Sequence, residues 1–178
     1  MKGYYMKWLS ILLLAVATSV CVDGTTALTA ARTNDKVSPI YGVTIPAGYR
    51  QWELVSVAHE AGDYDDLRAM LGNAVAMTAF RSEKLPFPDG AIIVRLAWKY
   101  VPSAENNKVF GQSQSFIAGP ATNVQFMFKD SKKYAATGGW GFAEFINGKP
   151  AEEAVHKTCF SCHGPAKGHD FVFTRYAP

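Results

Sequence analysis

Residues 85–100 read Leu-Pro-Phe-Pro-Asp-Gly-Ala-Ile-Ile-Val-Arg-Leu-Ala-Trp-Lys-Tyr, and they predict a turn followed by a strand. The first six residues contain two prolines and an Asp-Gly pair. These form turns because proline presets one backbone angle and glycine accepts left-handed conformations. Residues 91–100 are mostly aliphatic or aromatic, which favours a buried strand. A turn that leads directly into such a strand indicates a domain organised around a β-sheet.

The segments before this strand predict one more strand and one helix. Residues 52–58 mix alternation with β-branched side chains, a pattern typical of a strand. Residues 65–80 are rich in Leu, Met, Ala and Arg, so we expect a helix there. Asp65 or Asp66 is a suitable cap for it, and an interruption is expected near residues 72–73.

The segments after the strand predict further short elements. Residues 102–108 are polar and are expected to form a loop. Two strands are expected on either side of a Gly119-Pro120 turn. These two strands are residues 114–118 and 123–128. A helix is predicted at 131–136, an alternating stretch at 140–146 before an Asn-Gly hairpin turn, and a helix at 151–157. Together they indicate an α+β fold, mainly an antiparallel β-sheet with a few short helices.

The composition of the 178 residues describes a globular chain, since 48% are hydrophobic and 13% aromatic. A disordered chain would be poorer in aromatic residues and more highly charged. The formal net charge is +3, and the basic residues are scattered along the chain. Nothing in this distribution indicates a nucleic-acid-binding surface.

The first thirty residues have the three parts of a secretory signal. Lys2 and Lys7 lie at a positive start, residues 8–22 form an apolar run, and small residues follow. The run is shorter than the roughly 20 residues of a membrane span, and an uncleaved anchor is the alternative. We predict a signal peptide at 1–30, a flexible segment at 31–44 and one domain at 45–178, in a periplasmic protein.

The cysteines predict a covalently attached haem. Cys21 falls in the signal segment, which leaves Cys159 and Cys162 for the exported chain. Residues 159–163 read Cys-Phe-Ser-Cys-His, the motif of c-type haem attachment. Two thiols at this spacing reach the two vinyl groups on one porphyrin edge, and the adjacent His163 is then positioned as the proximal iron ligand. We predict one covalently attached haem c.

Three other interpretations compete with this one. A structural zinc site needs a second ligand pair, and the exported chain has no further cysteines. A redox dithiol does not need the histidine and prefers a βα setting. An exported protein can form a disulfide between two such cysteines, but the histidine that follows Cys162 argues against it.

The sixth coordination position of the iron is left open by the sequence. A methionine or second histidine there suits electron transfer, whereas an empty position suits binding or catalysis on a small ligand. We expect the methionines to be core residues and His59 to lie on the surface. The candidates are Met70, Met77, Met127, His59, His156 and His169.

The haem motif is one of several landmarks. The others are Gly-Tyr-Arg-Gln-Trp at 48–52, Phe-Pro-Asp-Gly at 87–90, Lys-Asp-Ser at 129–131, Gly-Trp-Gly-Phe at 139–142 and Asp-Phe-Val-Phe-Thr-Arg at 170–175. In these residues and their order, the chain resembles the cytochrome P-460 family, which includes cytochrome c′-beta. The resemblance implies a mainly antiparallel β fold, often dimeric, with a five-coordinate haem and an open distal pocket. It also implies binding of nitric oxide or oxidation of hydroxylamine.

Two positions depart from the hydroxylamine-oxidising members that the chain resembles. Those members cross-link a lysine to the porphyrin, and Arg95 stands at the corresponding place; Lys84 and Lys99 are nearby. Arginine stays protonated and is a poor nucleophile. Those members also carry a distal carboxylate, where Gln125 stands here, and an amide cannot act as a general base. Both departures favour gas binding over hydroxylamine oxidation.

The resemblance places further residues around the haem. Arg68 matches a distal-side arginine, with a solvated helix arginine as the alternative. Arg175 is expected near His163 or a haem propionate, with a structural salt bridge as the alternative. Four phenylalanines are candidate walls of an apolar haem pocket, although any one of them is more often a core residue: Phe80, Phe87, Phe116 and Phe126.

These observations predict an exported mono-haem cytochrome that binds or processes a small nitrogen ligand such as nitric oxide. The alternatives are a hydroxylamine-oxidising cytochrome and a six-coordinate electron-transfer cytochrome. Expected partners are the small ligand, a redox partner protein and a second copy of the chain in a homodimer.

Overall fold

The computed structural model describes residues 36–177. The predicted signal peptide at 1–30 therefore lies outside the described residues, as do residues 31–35 of the predicted flexible segment that follows it. Within residues 36–177 every helix is too short or too polar to cross a membrane.

The described chain forms one antiparallel sheet in which strand order follows chain order, β1 to β6. This meander and its three short helices confirm the predicted α+β class. The strands are β1 (Glu53–Glu60), β2 (Asp66–Gly72), β3 (Ile92–Pro102), β4 (Phe116–Lys129), β5 (Trp140–Ile146) and β6 (Lys149–Pro150); the helices are α1 (Ala74–Arg81), α2 (Ala104–Phe110) and α3 (Glu153–His163). Three 3₁₀ turns cover Tyr49–Gln51, Ala135–Thr137 and Gly164–His169.

The first half of the predicted helix at 65–80 is wrong. Residues Asp66–Gly72 form β2, which pairs with both β1 and β3. Leu, Met and Ala have good helix propensity, but pairing on both sides outweighs that weak preference. The helix begins after Asn73, whose side-chain Oδ1 accepts the backbone N–H of Ala76 at 3.0 Å.

Two further predictions are corrected between β3 and β5. The Gly119-Pro120 pair does not form a turn, because β4 runs through it as one strand of 14 residues. The register with β3 shifts beside Trp98, and proline is tolerated at such an irregularity. The polar segment at 102–108 includes most of α2, which Ser103 caps by accepting the Asn106 N–H at 3.3 Å.

The sheet has two faces of different character. Met70, Arg95, Gln125 and Glu144 are paired directly across β2 to β5, so their side chains share one face, here called the site face. Phe142 lies on this face as well and contacts α3 through the His163 ring, with 4.9 Å between centroids. The opposite face carries buried aliphatic and aromatic side chains, including Val94, Phe126 and Phe145.

Candidate haem site

Helix α3 carries the whole Cys-x-x-Cys-His motif. The predicted helix at 151–157 is longer than expected and runs from Glu153 to His163. Cys159 and His163 are four residues apart, so they lie on neighbouring positions of one helix side, with Cys162 beside them. Both cysteines are free thiols: Cys159 is half-buried and Cys162 is exposed. The motif therefore presents two unpaired thiols and an imidazole from a single turn of helix.

The His163 ring is held in one tautomer. Its Nδ1 lies 2.7 Å from the Phe171 carbonyl oxygen. A carbonyl can only accept, so Nδ1 carries the proton and Nε2 keeps its lone pair for a metal. Burial lowers the pKa of His163, which favours the neutral form that binds iron. Phe142 and Phe173 flank the ring at centroid distances of 4.9 and 5.3 Å.

The surroundings of Cys159 disfavour a redox dithiol. Burial, followed by the negative charges of Glu144 and Cys162, raises the pKa of the Cys159 thiol to about 11. Redox-active cysteines need the opposite shift, because the thiolate is the nucleophile. No group of three or more His, Cys, Asp or Glu side chains within residues 36–177 is placed to hold a metal ion, which disfavours the zinc alternative. The thiols and the imidazole fit a covalently attached haem.

The carbonyl that holds His163 belongs to a constrained loop. Asp170 and Phe171 are two consecutive non-glycine residues in left-handed conformation, with φ of 53° and 64°. Lys129 donates to both carboxylate oxygens of Asp170 at 2.8 Å, and the backbone N–H of Phe87 donates to Oδ2 at 2.9 Å. This loop is therefore tied to β4 and to the turn before β3.

Gly138 makes room for the same loop. A Cβ atom on Gly138 would lie 2.2 Å from the Phe171 ring, and its φ of 67° also favours glycine. Lys129 Nζ donates to the Gly138 carbonyl at 3.1 Å. The lysine thus holds the backbone on both sides of the Phe171 ring.

A second polar cluster, here called the distal network, crosses the site face. Arg95 Nη1 donates to Gln125 Oε1 at 2.6 Å, and Gln125 Nε2 donates to Glu144 Oε2 at 2.6 Å. Arg95 Nη2 also donates to Asp66 Oδ2 at 3.0 Å. These contacts link β2, β3, β4 and β5 through side chains.

Arg68 extends the distal network along β2. Its Nε donates to Asp66 Oδ1 at 2.6 Å, and its Nη1 lies 3.2 Å from Glu60 Oε1. Asp66 is therefore shared by Arg68 and Arg95, and only 5% of its side chain is exposed. Desolvation, and then repulsion from Arg68, lower the pKa of Arg95, which is offset in part by the nearby carboxylates. Arg68 is an ion-paired strand residue rather than a solvated helix arginine.

One donor of the distal network has no partner. Arg95 Nε is buried, and within the described residues no acceptor lies within hydrogen-bonding distance of it. Leaving a buried donor unsatisfied costs about 1–3 kcal/mol, so a buried N–H of this kind indicates a place for a polar ligand or a water molecule.

The three sequence-predicted distal residues, Arg68, Arg95 and Gln125, are brought together by the structure. Sequence reasoning missed Asp66 and Glu144, which supply the carboxylates. The one available signal for Glu144 was a charged residue inside the aromatic alternation of 140–146. The family resemblance placed Gln125 where related proteins carry a carboxylate. In the structure its amide donates to a carboxylate next to it, that of Glu144.

The predicted pocket walls do not gather at the motif. Phe126 lies on the face opposite Gln125 and packs against Tyr49 and Phe145. Phe87 and Arg175 line an open cleft of about 590 Å³ whose lining does not include the motif residues. The Arg175 guanidinium donates to the backbone carbonyls of residues 172–174, which follow Phe171. Phe80 lines the same cleft, and Phe116 stacks on Tyr100.

The candidate sixth ligands are mostly engaged elsewhere. His156 is fully buried; its Nδ1 contacts the Glu152 carbonyl and its Nε2 accepts the Glu144 backbone N–H. His59 is exposed, as expected, and contacts Asp65. His169 lines the cleft. The three methionines, Met70, Met77 and Met127, belong to the hydrophobic core.

Comparison with known families agrees with this geometry. The family model described as cytochrome P-460 matches residues 46–174, well over half of the chain. No curated protein matches the chain. The chain belongs to the cytochrome P-460 family, a family of c-type haem cytochromes, and its cofactor is one covalently attached haem c.

Proposed function

We propose that this member of the cytochrome P-460 family is an exported mono-haem cytochrome that binds a small nitrogen ligand, such as nitric oxide, at an open iron position. Cys159 and Cys162 would hold the haem through thioether bonds, and His163 Nε2 would bind its iron. A bound haem c supplies an iron that coordinates a small ligand and exchanges single electrons with a partner.

The observation that carries this proposal is the unpaired Arg95 Nε on the site face. It is a buried, cationic donor in a cluster that shares its sheet face with Phe142, the ring in contact with His163. Glu144 is close enough to Cys159 to raise the pKa of that thiol, so the distal network and the attachment motif are neighbours. A ligand that accepts a hydrogen bond through nitrogen or oxygen matches this donor.

The residues of the distal network have distinct roles in this proposal. Asp66 and Gln125 hold the Arg95 guanidinium in place through Nη2 and Nη1, which leaves Nε free. Holding the donor before the ligand arrives reduces the ordering cost of binding. Arg68 pairs with the second oxygen of Asp66, so the charge of this carboxylate is shared between two guanidinium groups.

A second candidate function is oxidation of hydroxylamine, and Glu144 favours it. Oxidation of hydroxylamine removes protons as well as electrons, so it needs a proton acceptor near the substrate. The amide of Gln125 cannot serve, but the Glu144 carboxylate lies 2.6 Å from that amide. The absence of a carboxylate at position 125 therefore does not argue against oxidation as strongly as the sequence indicated.

The wider setting is part of the same proposal. The predicted signal peptide supports export to the periplasm, where c-type haem is attached. A redox partner protein would exchange electrons with the iron, and a homodimer is expected from the family resemblance. Fractionation of cells that express the tagged full-length protein tests its export. The mass of the protein in solution tests the homodimer.

The experiment is nitric oxide titration of the purified holoprotein. The mass of the intact chain must include one haem, and Cys159→Ala with Cys162→Ala must abolish that addition. We expect the ferrous spectrum to change on addition of nitric oxide. Arg95→Leu should weaken binding about tenfold, as expected for loss of a hydrogen bond to a charged donor. Arg81→Leu, at an exposed arginine paired with Glu53, is the control and should leave binding unchanged.

A six-coordinate ferrous spectrum that ignores nitric oxide would refute the proposal in favour of electron transfer. A turnover assay with hydroxylamine and an artificial oxidant distinguishes the second candidate, hydroxylamine oxidation, from nitric oxide binding. Turnover by the wild type that is lost in Glu144→Gln, with nitric oxide affinity retained, would make oxidation the function.

A further inference from the structure

Lys129 and Asp170 form a buried ion pair next to Phe171, the residue whose carbonyl contacts His163 Nδ1. Lys129 Nζ lies 2.8 Å from each Asp170 carboxylate oxygen, and the two side chains are 5% and 9% exposed. We propose that Lys129 and Asp170 are positioning residues that fix the Phe171 carbonyl against His163 Nδ1 and so set the electron affinity of the iron. The inference rests on the proposed ligation by His163.

The loop cannot reach this geometry by local preference. Asp170 and Phe171 both adopt left-handed conformations, which residues with a Cβ rarely occupy. Backbone bonds from Asp170 N–H to the Lys167 carbonyl and from Phe171 N–H to the Ala166 carbonyl fix its start. The Asp170 side chain then ties it to Lys129 and to the Phe87 N–H, so the strained carbonyl is held from outside the loop.

Lys129 also fixes the backbone that packs against the Phe171 ring. Its Nζ donates to the Gly138 carbonyl, and Gly138 is the position where any side chain would collide with the Phe171 ring. The ammonium group also lies 4.9 Å from the centroid of the fully buried Trp140 ring. One buried cation thus fixes both the backbone before Phe171 and the pocket that receives its ring.

The consequence for the iron follows from the hydrogen bond. A carbonyl held at 2.7 Å from Nδ1 withdraws the proton slightly and makes Nε2 a stronger donor. A stronger donor stabilises ferric iron relative to ferrous iron. Loosening the Phe171 carbonyl should therefore make the iron easier to reduce.

The test is redox titration of the holoprotein with Asp170→Asn, which keeps the size of the side chain but removes its charge. We expect the ferrous-to-ferric ratio at a fixed applied potential to rise about tenfold. This is the lower end of the change in metal affinity or activity that follows loss of a hydrogen-bonding partner of a metal ligand. Lys129→Gln should act in the same direction and decides the matter where Asp170→Asn fails to fold. Lys129→Arg keeps the cation and should restore most of the wild-type ratio.

The matched control is Glu153→Gln. Glu153 pairs with Lys157 on the same helix as His163, but both are more than half exposed. This variant should leave the ratio unchanged. An Asp170→Asn holoprotein that is less stable yet has the wild-type ratio would reduce the pair to a structural role and overturn the inference. A wild-type chain without covalent haem would overturn the proposed function as well.

Discussion

The loop behind His163 and the distal network both place charged groups on or beside the site face, but they differ in how those charges are supported. Lys129 and Asp170 are almost fully buried, and the Asp170 carboxylate is bonded through both oxygens. In the distal network, Arg68 and Arg95 are 15% and 18% exposed, and Arg95 keeps one free N–H. The first arrangement fixes one geometry, whereas the second retains a donor that a ligand can engage.

This difference predicts that substitutions in the loop will mainly affect stability and the properties of the iron. Substitutions in the distal network should have smaller effects on stability, because water can replace lost contacts at a partly exposed site. Two substitutions, at Gly138 and Gln125, test the difference, and a third at Asp89, outside both regions, gives the scale of an exposed contact. The free energy of unfolding of the holoprotein in denaturant is the common measurement.

The largest effect is expected at Gly138. Gly138→Ala adds a Cβ that collides with the Phe171 ring, in a backbone conformation that alanine also resists. We expect a loss of about 3 kcal/mol from overpacking and strain together. Gly148→Ala is the control: its φ of 76° is equally unusual, but nothing lies within 4 Å of the added Cβ. Strain alone should lower its stability by about 1 kcal/mol. Equal losses at both glycines would show that the ring contact does not matter.

An intermediate effect is expected at Gln125. Gln125→Leu is similar in size but leaves Arg95 Nη1 and Glu144 Oε2 each without one partner. We expect a loss of about 1 kcal/mol, since the site is half-buried and water can enter. Gln112→Leu, at an exposed position, should change stability by less than about 0.5 kcal/mol. A loss at Gln125 as large as that at Gly138 would contradict the distinction between a rigid loop and an adaptable network.

The smallest effect is expected at Asp89, an exposed contact close to the loop. Its carboxylate accepts the Ser131 backbone N–H at 2.7 Å and the Ser131 hydroxyl at 2.8 Å. These bonds, the hydroxyl one first, lower the pKa of Asp89. A lowered folded-state pKa contributes stability that is present above the unfolded value of roughly 3.9 and is lost as pH falls through the folded value.

Asp89→Asn should therefore reduce stability slightly at neutral pH. The unfolding curves of wild type and variant should converge as the pH is lowered below about 4. Measurement of unfolding midpoints between neutral and acidic pH checks this. A gap that stays constant across that range would show that the Asp89 charge contributes nothing.

Local patterns carried most of the fold and the attachment site. The turn and strand at 85–100 and the α+β class could be predicted because proline, glycine and β-branched side chains restrict the backbone wherever they occur. The Cys-x-x-Cys-His motif was recognisable for the same reason, since its chemistry depends on residues adjacent in sequence. The errors at 65–72 and at 119–120 arose where pairing with neighbouring strands outweighed local propensity.

The sequence by itself determined the haem motif, the strand-rich class and the placement of Arg68, Arg95 and Gln125 as candidates. The tertiary structure decided which groups surround them. Glu144 and Asp66 join Arg95 only because four strands align in register, and Lys129 meets Asp170 across 41 residues of chain. Such contacts depend on the packing of distant segments, which no local pattern records.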